Sequence, residues 1–113
     1  MCTQDILTQL KTEIFKFSND TFGDSLEDII LYGSYARGDY DEESDIDIMI
    51  LVDAKQDEIK RHESEFAVFG SRLDLKYDVL TSILLESAAS FTNWKNDLPF
   101  FRNIAREGVR ISA

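Results

Sequence analysis

Leu31-Tyr-Gly-Ser-Tyr-Ala-Arg-Gly-Asp-Tyr-Asp-Glu-Glu-Ser-Asp-Ile-Asp-Ile-Met-Ile50 is the stretch on which the reading of this chain turns. Residues 26–32, with Ile29, Ile30 and Leu31, form an apolar run that predicts a strand entering a turn. Ile46, Ile48, Ile50 and Val52 alternate with Asp45, Asp47, Met49 and Leu51, which is the period-two pattern of a second strand over 45–52. Alternation puts Asp45 and Asp47 on one face, roughly 6.6 Å apart along the strand. Carboxylates that close repel each other, and a divalent cation between them reverses the sign. Mg2+ takes carboxylate oxygens at about 2.0–2.1 Å and keeps waters and substrate phosphates as its other ligands. Two such ions about 3.5–4 Å apart can clamp the attacking and leaving oxygens of a phosphoryl or nucleotidyl transfer. Asp45 and Asp47 are therefore candidate catalytic and metal-ligating residues.

The front half of the stretch suits a phosphate. Gly33 lets the backbone approach a ligand closely. Ser34 reads as a helix N-cap, with Tyr35, Ala36 and Arg37 as the first turn behind it. Free N–H groups at a helix N-terminus bind phosphate, and Arg37 adds a permanent cation with a forked set of donors. Gly33, Ser34 and Arg37 are the candidate nucleotide-binding residues. Gly38, Asp39 and Asp41 then turn the chain back toward the acidic strand.

Gly33-Ser34, ten intervening residues and Asp45-Ile46-Asp47 resemble the Gly-Ser-x10-Asp-x-Asp signature of the DNA polymerase beta type nucleotidyltransferase superfamily. The fuller pattern, Gly33-Ser34-Tyr35-Ala36-Arg37-Gly38 followed by Ser44-Asp45-Ile46-Asp47-Ile48, resembles the minimal nucleotidyltransferases, small antitoxin partners of HEPN-domain ribonuclease toxins. Leu98-Pro99-Phe100-Phe101-Arg102-Asn103-Ile104-Ala105-Arg106-Glu107-Gly108-Val109 looks like the usual C-terminal ending of the same group, so the resemblance spans nearly the whole chain. It implies an α+β fold with a small mixed β-sheet of three to four strands and helices packed on one side. It also implies Mg2+-dependent transfer of AMP from ATP to a hydroxyl, a tyrosine of the partner HEPN toxin, which is inactive once adenylylated.

Members of the superfamily also carry a third carboxylate on a neighbouring strand. It helps hold the catalytic metal and can take the proton from the attacking hydroxyl. Asp78, opening a third strand read at 78–85, is the preferred candidate for this catalytic and metal-ligating role. Asp74 is the alternative, and neither acid is the third possibility, because Thr81 or Ser82 occupies the strand centre. Two other functional readings stand beside the enzyme: an antitoxin that neutralises its toxin by contact alone, and a small-molecule transferase, for instance toward an aminoglycoside, working with a separate helical subunit.

The chain has 113 residues, which predicts one domain over 1–113. Its hydrophobic content of 43% suffices for a core without disulfides. No apolar run approaches the ~18 residues of a membrane span, and Met1-Cys2-Thr3 starts no signal peptide. The single cysteine, Cys2, cannot form an internal disulfide, and the expected location is the reducing cytoplasm. The net charge of −10, from 22 acidic and 12 basic residues, argues against direct binding to nucleic acid, which needs many cationic contacts. It suits a nucleotide carried in with Mg2+, a basic protein partner, or simple solubility. A small scaffold with no second domain to build an acceptor pocket would borrow its acceptor from that partner, and assembly with it is expected through the first helix or the edge near 109–112.

The remaining pattern supplies helices. Ile6, Leu10, Ile14 and Phe17 predict a helix over 4–22, capped by Thr3 or Asp5. Ile59, His62, Phe66, Phe69, Leu73 and Tyr77 predict a long helix over 56–77, bending or breaking at Gly70. His62 falls on that stripe and reads as a packed helix residue, not a catalytic base. Phe91 and Trp94 read as cover over a short helical segment. Asn96 or Asp97 caps a last helix with Pro99 in its first turn and Phe100, Phe101 and Ile104 facing inward.

Overall fold

The hairpin read from the sequence is the centre of the molecule. In the computed structural model, which describes residues 3–111, β1 (Leu26–Tyr32) pairs antiparallel with β2 (Ile46–Val52), from Leu26 opposite Val52 to Tyr32 opposite Asp47. A register shift at Glu27 bends the start of β1. β3 (Thr81–Ser87) adds parallel to β2, and β4 (Val109–Arg110) adds antiparallel to β1, giving the order β3-β2-β1-β4. A mixed sheet of this kind needs crossovers, and helices supply them. α3 (Gln56–Lys60) and α4 (Glu63–Tyr77) connect β2 to β3, and α5 (Ala88–Trp94) and α6 (Pro99–Glu107) connect β3 to β4, while α1 (Gln4–Phe22) precedes β1 and α2 (Ser34–Arg37) lies in the β1–β2 connection.

The alternation of β2 explains the layering. Ile46, Ile48, Ile50 and Val52 join one apolar cluster with Leu10 and Ile14 of α1, Ile59 of α3, and Phe66 and Leu73 of α4. Met49 and Leu51 face the other way, into a smaller cluster with Ile30, Phe91 of α5 and Ile104 of α6. The α+β class and mixed sheet are as read from the sequence. The expectation of helices on one side alone is corrected, because α5 and α6 bury the second face. Met49 and Leu51, apolar at the outward positions of the alternation, are the residues that require this cover.

Several boundaries shift for identifiable reasons. α1 begins where expected, with the Thr3 hydroxyl accepting from the Ile6 N–H at 3.2 Å. The long helix breaks at Arg61 and His62, not at Gly70. There the hydrogen bonds tighten, with Arg61 N–H donating to the Glu58 carbonyl and His62 N–H to that of Ile59. The His62 ring packs edge-on against Phe22 and hydrogen-bonds Glu65. Gly70 stays helical and buried because β3 lies close, and a Cβ there would sit 3.3 Å from Thr81 Oγ1. α6 starts behind Leu98 rather than Asn96 or Asp97, with Pro99 in its first turn. Trp94 and Phe100 are half exposed, not inward cover. Cys2 and residue 112 lie outside the described residues. No helix among the described residues is long and apolar enough to cross a membrane.

α6 lies over the sheet at Gly108, where a side chain would meet Ile30 Cγ2 and stand 2.5 Å from the Ile104 carbonyl oxygen. Gly108→Ala should therefore destabilise the fold by about 1–3 kcal/mol through overpacking. Thermal or denaturant unfolding checks this, and an unchanged midpoint would mean that α6 does not pack as described.

Candidate active site

The two halves of the signature meet at the open end of the hairpin. Tyr32 is the register partner of Asp47, so Gly33 lies one residue beyond the last strand pair. Gly33 has φ 74° and ψ −154° and acts as the N-cap of α2, its carbonyl accepting from the N–H groups of Ala36 and Arg37 at 3.1 Å each. Ser34 is thus the first helical residue and not the cap expected from its type. Its hydroxyl makes no hydrogen bond to a described residue. A Cβ at position 33 would collide with Asp47 Oδ2 and lie 3.4 Å from its Cγ. Glycine serves here twice, through its positive φ and through the space it leaves.

Charge is concentrated at that contact. The Asp47 carboxyl is held above the ordinary carboxylate range, first by burial, then by the charge of Asp45, with Arg37 opposing. The Tyr32 phenol is likewise raised, by burial first and then by the charge of Asp47. Arg37 forms ion pairs with Asp39 at 3.2 Å and with Glu107 of α6 at 3.3 Å. The loop between the glycines and the acids is braced by Asp41, whose Oδ1 accepts from Glu43 N–H at 2.9 Å and from the Ser44 hydroxyl at 3.2 Å.

A cavity of about 190 Å3 opens on this arrangement. Tyr32, Gly33, Arg37 and Asp47 line it from the hairpin, and Phe100, Asn103 and Glu107 line it from α6. The ring of Phe100 stands edge-on to Tyr32 at 5.8 Å. A larger cleft of about 470 Å3 lies toward the far end of the strands, beside Asp28, Leu51 and Arg110. It holds neither the Asp-x-Asp pair nor the glycine turn, so the smaller cavity is the candidate site.

The structure brings Gly33, Arg37 and Asp47 together, places Asp45 close enough to act on Asp47 electrostatically, and sets Ser34 at the adjacent helix start. It does not bring Asp78 there. Asp78 is an exposed residue in the left-handed region (φ 53°), capping α4 through its N–H to the Asp74 carbonyl. The third strand opens at Thr81, not at 78, because the chain needs Val79 and Leu80 to leave the helix end. Asp74, the alternative, is engaged by β3 instead, its Oδ1 accepting from both the N–H and the hydroxyl of Thr81 at 2.8 Å. Among the described residues no group of three His, Cys, Asp or Glu side chains is placed to hold a metal. Asp45 and Asp47 remain as two hard oxygen donors that repel each other, with Arg37 as the opposing cation. That donor set fits Mg2+ completed by waters and phosphate oxygens, and does not suit zinc. Sequence reasoning missed Tyr32, Phe100, Asn103 and Glu107. Tyr32 carried a signal, since a hairpin closing on Gly33 sets it opposite Asp47, and the other three fall in the stretch 98–109 that carries the family resemblance.

Comparison with known proteins gives the family and the fold. Residues 11–109 match the family described as "Nucleotidyltransferase domain". Two proteins of Methanocaldococcus jannaschii, both named "Putative protein adenylyltransferase", are 41% and 43% identical over 72% and 74% of this chain and 76% and 75% of their own lengths. Crystal structures of the toxin–antitoxin MntA-HpeT, in two mutant forms, each contain a chain that superposes with TM-scores of 0.58 and 0.55. Those matches cover 91% of this chain and 73% and 72% of the others, at 20% and 22% identity, and they show the shared fold.

Two outcomes follow from the Gly33–Asp47 contact. Gly33→Ala should cost about 1–3 kcal/mol, from the strained φ and the displaced carboxylate, read as a lower midpoint of unfolding; an unchanged midpoint would contradict the contact. Because folding raises the pKa of Asp47, its charge costs stability above that raised value. The cost shrinks as pH falls through it and vanishes below the ordinary 3.8. Asp47→Asn should therefore raise the melting temperature at neutral pH in the absence of metal, with the advantage disappearing on acidification. A gain that persists at pH 3.5 would contradict this origin.

Proposed function

The chain belongs to the nucleotidyltransferase domain family, and from that premise we propose that it moves AMP from ATP onto a tyrosine hydroxyl of a partner HEPN-type ribonuclease toxin, acting in the cytoplasm as the antitoxin of the pair. The observation that carries this is the convergence of Gly33, Arg37 and Asp47 on one cavity. The names of the archaeal relatives and the fold shared with a chain of a toxin–antitoxin pair support the direction of the reading. Residues 1–113 are taken as one catalytic domain.

Asp45 and Asp47 would hold Mg2+, which when bound supplies neutralisation of the triphosphate and polarises the phosphorus under attack. The backbone at Gly33 and the N–H and hydroxyl of Ser34 would hold the β- and γ-phosphates. Arg37 offsets the charge that develops as pyrophosphate leaves, exchanging its exposed pairing with Glu107 for the phosphates. The acceptor oxygen forms its bond to the α-phosphorus as the bond from that phosphorus to the β-bridging oxygen breaks. The acceptor proton passes to solvent. Positioning and electrostatics do most of this work. A second reading, neutralisation by contact alone, is favoured by one observation: the residue opposite Asp47 on β3 is Ser82, not an acid.

Intact-mass measurement of a HEPN-type helical protein encoded beside this chain separates the two. After incubation with ATP, Mg2+ and this chain, the partner should gain one or more AMP units, and should gain none with the Asp45→Asn/Asp47→Asn variant. A tight complex with no mass change under any nucleotide would overturn the transfer and leave the binding antitoxin.

A further inference from the structure

Asp47 and Ser82 are register partners on the parallel strands β2 and β3, so their backbones lie about 4.8 Å apart. Both belong to the face covered by α5 and α6. Met49, two residues after Asp47, is buried in the cluster of Phe91 and Ile104, and Leu84, two residues after Ser82, packs against the same cluster. Thr81 and Ile83 turn to the opposite layer, where Thr81 meets Asp74 and Ile83 packs on the α1–α4 core. Ser82 is exposed, and its hydroxyl makes no hydrogen bond to a described residue. The two acids that precede it in sequence lie elsewhere: the Asp74 carboxylate is held by Thr81, and Asp78, exposed, caps the end of α4 with its N–H.

Resting on the proposed function, we propose that Ser82 occupies the open third-ligand position of the cation site, so that this chain holds its divalent cation through two carboxylates only. The consequence is an order of binding. Two carboxylates at the start of a central strand give a shallow cation site, and most of the remaining ligands must be triphosphate oxygens and water. The cation therefore enters with the nucleotide and binds poorly before it. An acid at position 82 completes the set and uncouples cation binding from nucleotide binding.

The test is a Mn2+ titration of the whole chain, followed by electron paramagnetic resonance of free Mn2+, with and without a non-hydrolysable ATP analogue. The wild-type chain should bind Mn2+ about tenfold or more tightly with the analogue than without it. Ser82→Asp should bind Mn2+ about tenfold or more tightly than wild type when no nucleotide is present, and the analogue should then add little. Ser82→Asn, similar in size and neutral, should stay at the wild-type level, so a gain in that variant would overturn the proposal. Ser82→Glu is the substitute if Ser82→Asp does not give a cooperative melting curve. Unchanged Mn2+ affinity in a folded acidic variant, while Asp45→Asn still abolishes Mn2+ binding with the analogue, overturns the Ser82 assignment alone. Mn2+ binding that survives Asp45→Asn/Asp47→Asn overturns the underlying nucleotide site.

Discussion

The carboxylate of Asp47 can lie against the backbone of Gly33 only because position 33 has no side chain. The rest of the molecule is arranged to hold that approach. β1 and β2 bring the two residues together by pairing Tyr32 with Asp47. The short helix behind Gly33 fixes its positive φ, because the Gly33 carbonyl is engaged by Ala36 and Arg37. Tyr35 is buried in the main core and stacks on Tyr40, which anchors the turn to the body of the domain. The loop can therefore be rich in charge without being loose, since Asp41 and Ser44 close it with their own hydrogen bonds.

The same contact concentrates negative charge where burial makes it costly. Burial and then the charge of Asp45 raise the Asp47 carboxyl against the opposing cation of Arg37, and burial and then the charge of Asp47 raise the phenol of Tyr32. The exposed pair of Arg37 with Glu107 adds little to stability. Its effect is on position: it links α2 to the end of α6 and so ties the glycine turn to the wall carrying Phe100 and Asn103. Electrostatic strain of this kind is common at functional sites, where a bound cation or substrate relieves it.

Much of this was legible in the sequence. The span of α1, the span of β1 and the alternation of β2 follow from apolar period alone, and the Gly-Ser-x10-Asp-x-Asp spacing points to the residues that meet at the candidate site. The third strand was misplaced because Val79 and Leu80 have strand-forming side chains. Their role is set by a tertiary event, the left-handed exit at Asp78 and the capture of Thr81 by Asp74. The break at Arg61 was hidden for a similar reason, since the ring of His62 answers to Phe22, forty residues earlier in the chain. Phe100, Asn103 and Glu107 gave no local sign of joining the site. They reach it because Gly108 lets α6 lie close on Ile30, a contact between distant segments.

The central claim is that Asp45, Asp47 and the Gly33 turn form one site for a nucleotide and its divalent cation. The most direct measurement is a crystal structure of the chain grown with Mn2+ and a non-hydrolysable ATP analogue, with data collected at the manganese absorption edge. The account predicts an anomalous peak bridging the carboxylates of Asp45 and Asp47, with the triphosphate lying over Gly33 and Ser34. A nucleotide bound instead in the larger cleft beside Asp28 and Arg110, or a peak away from both carboxylates, would contradict it.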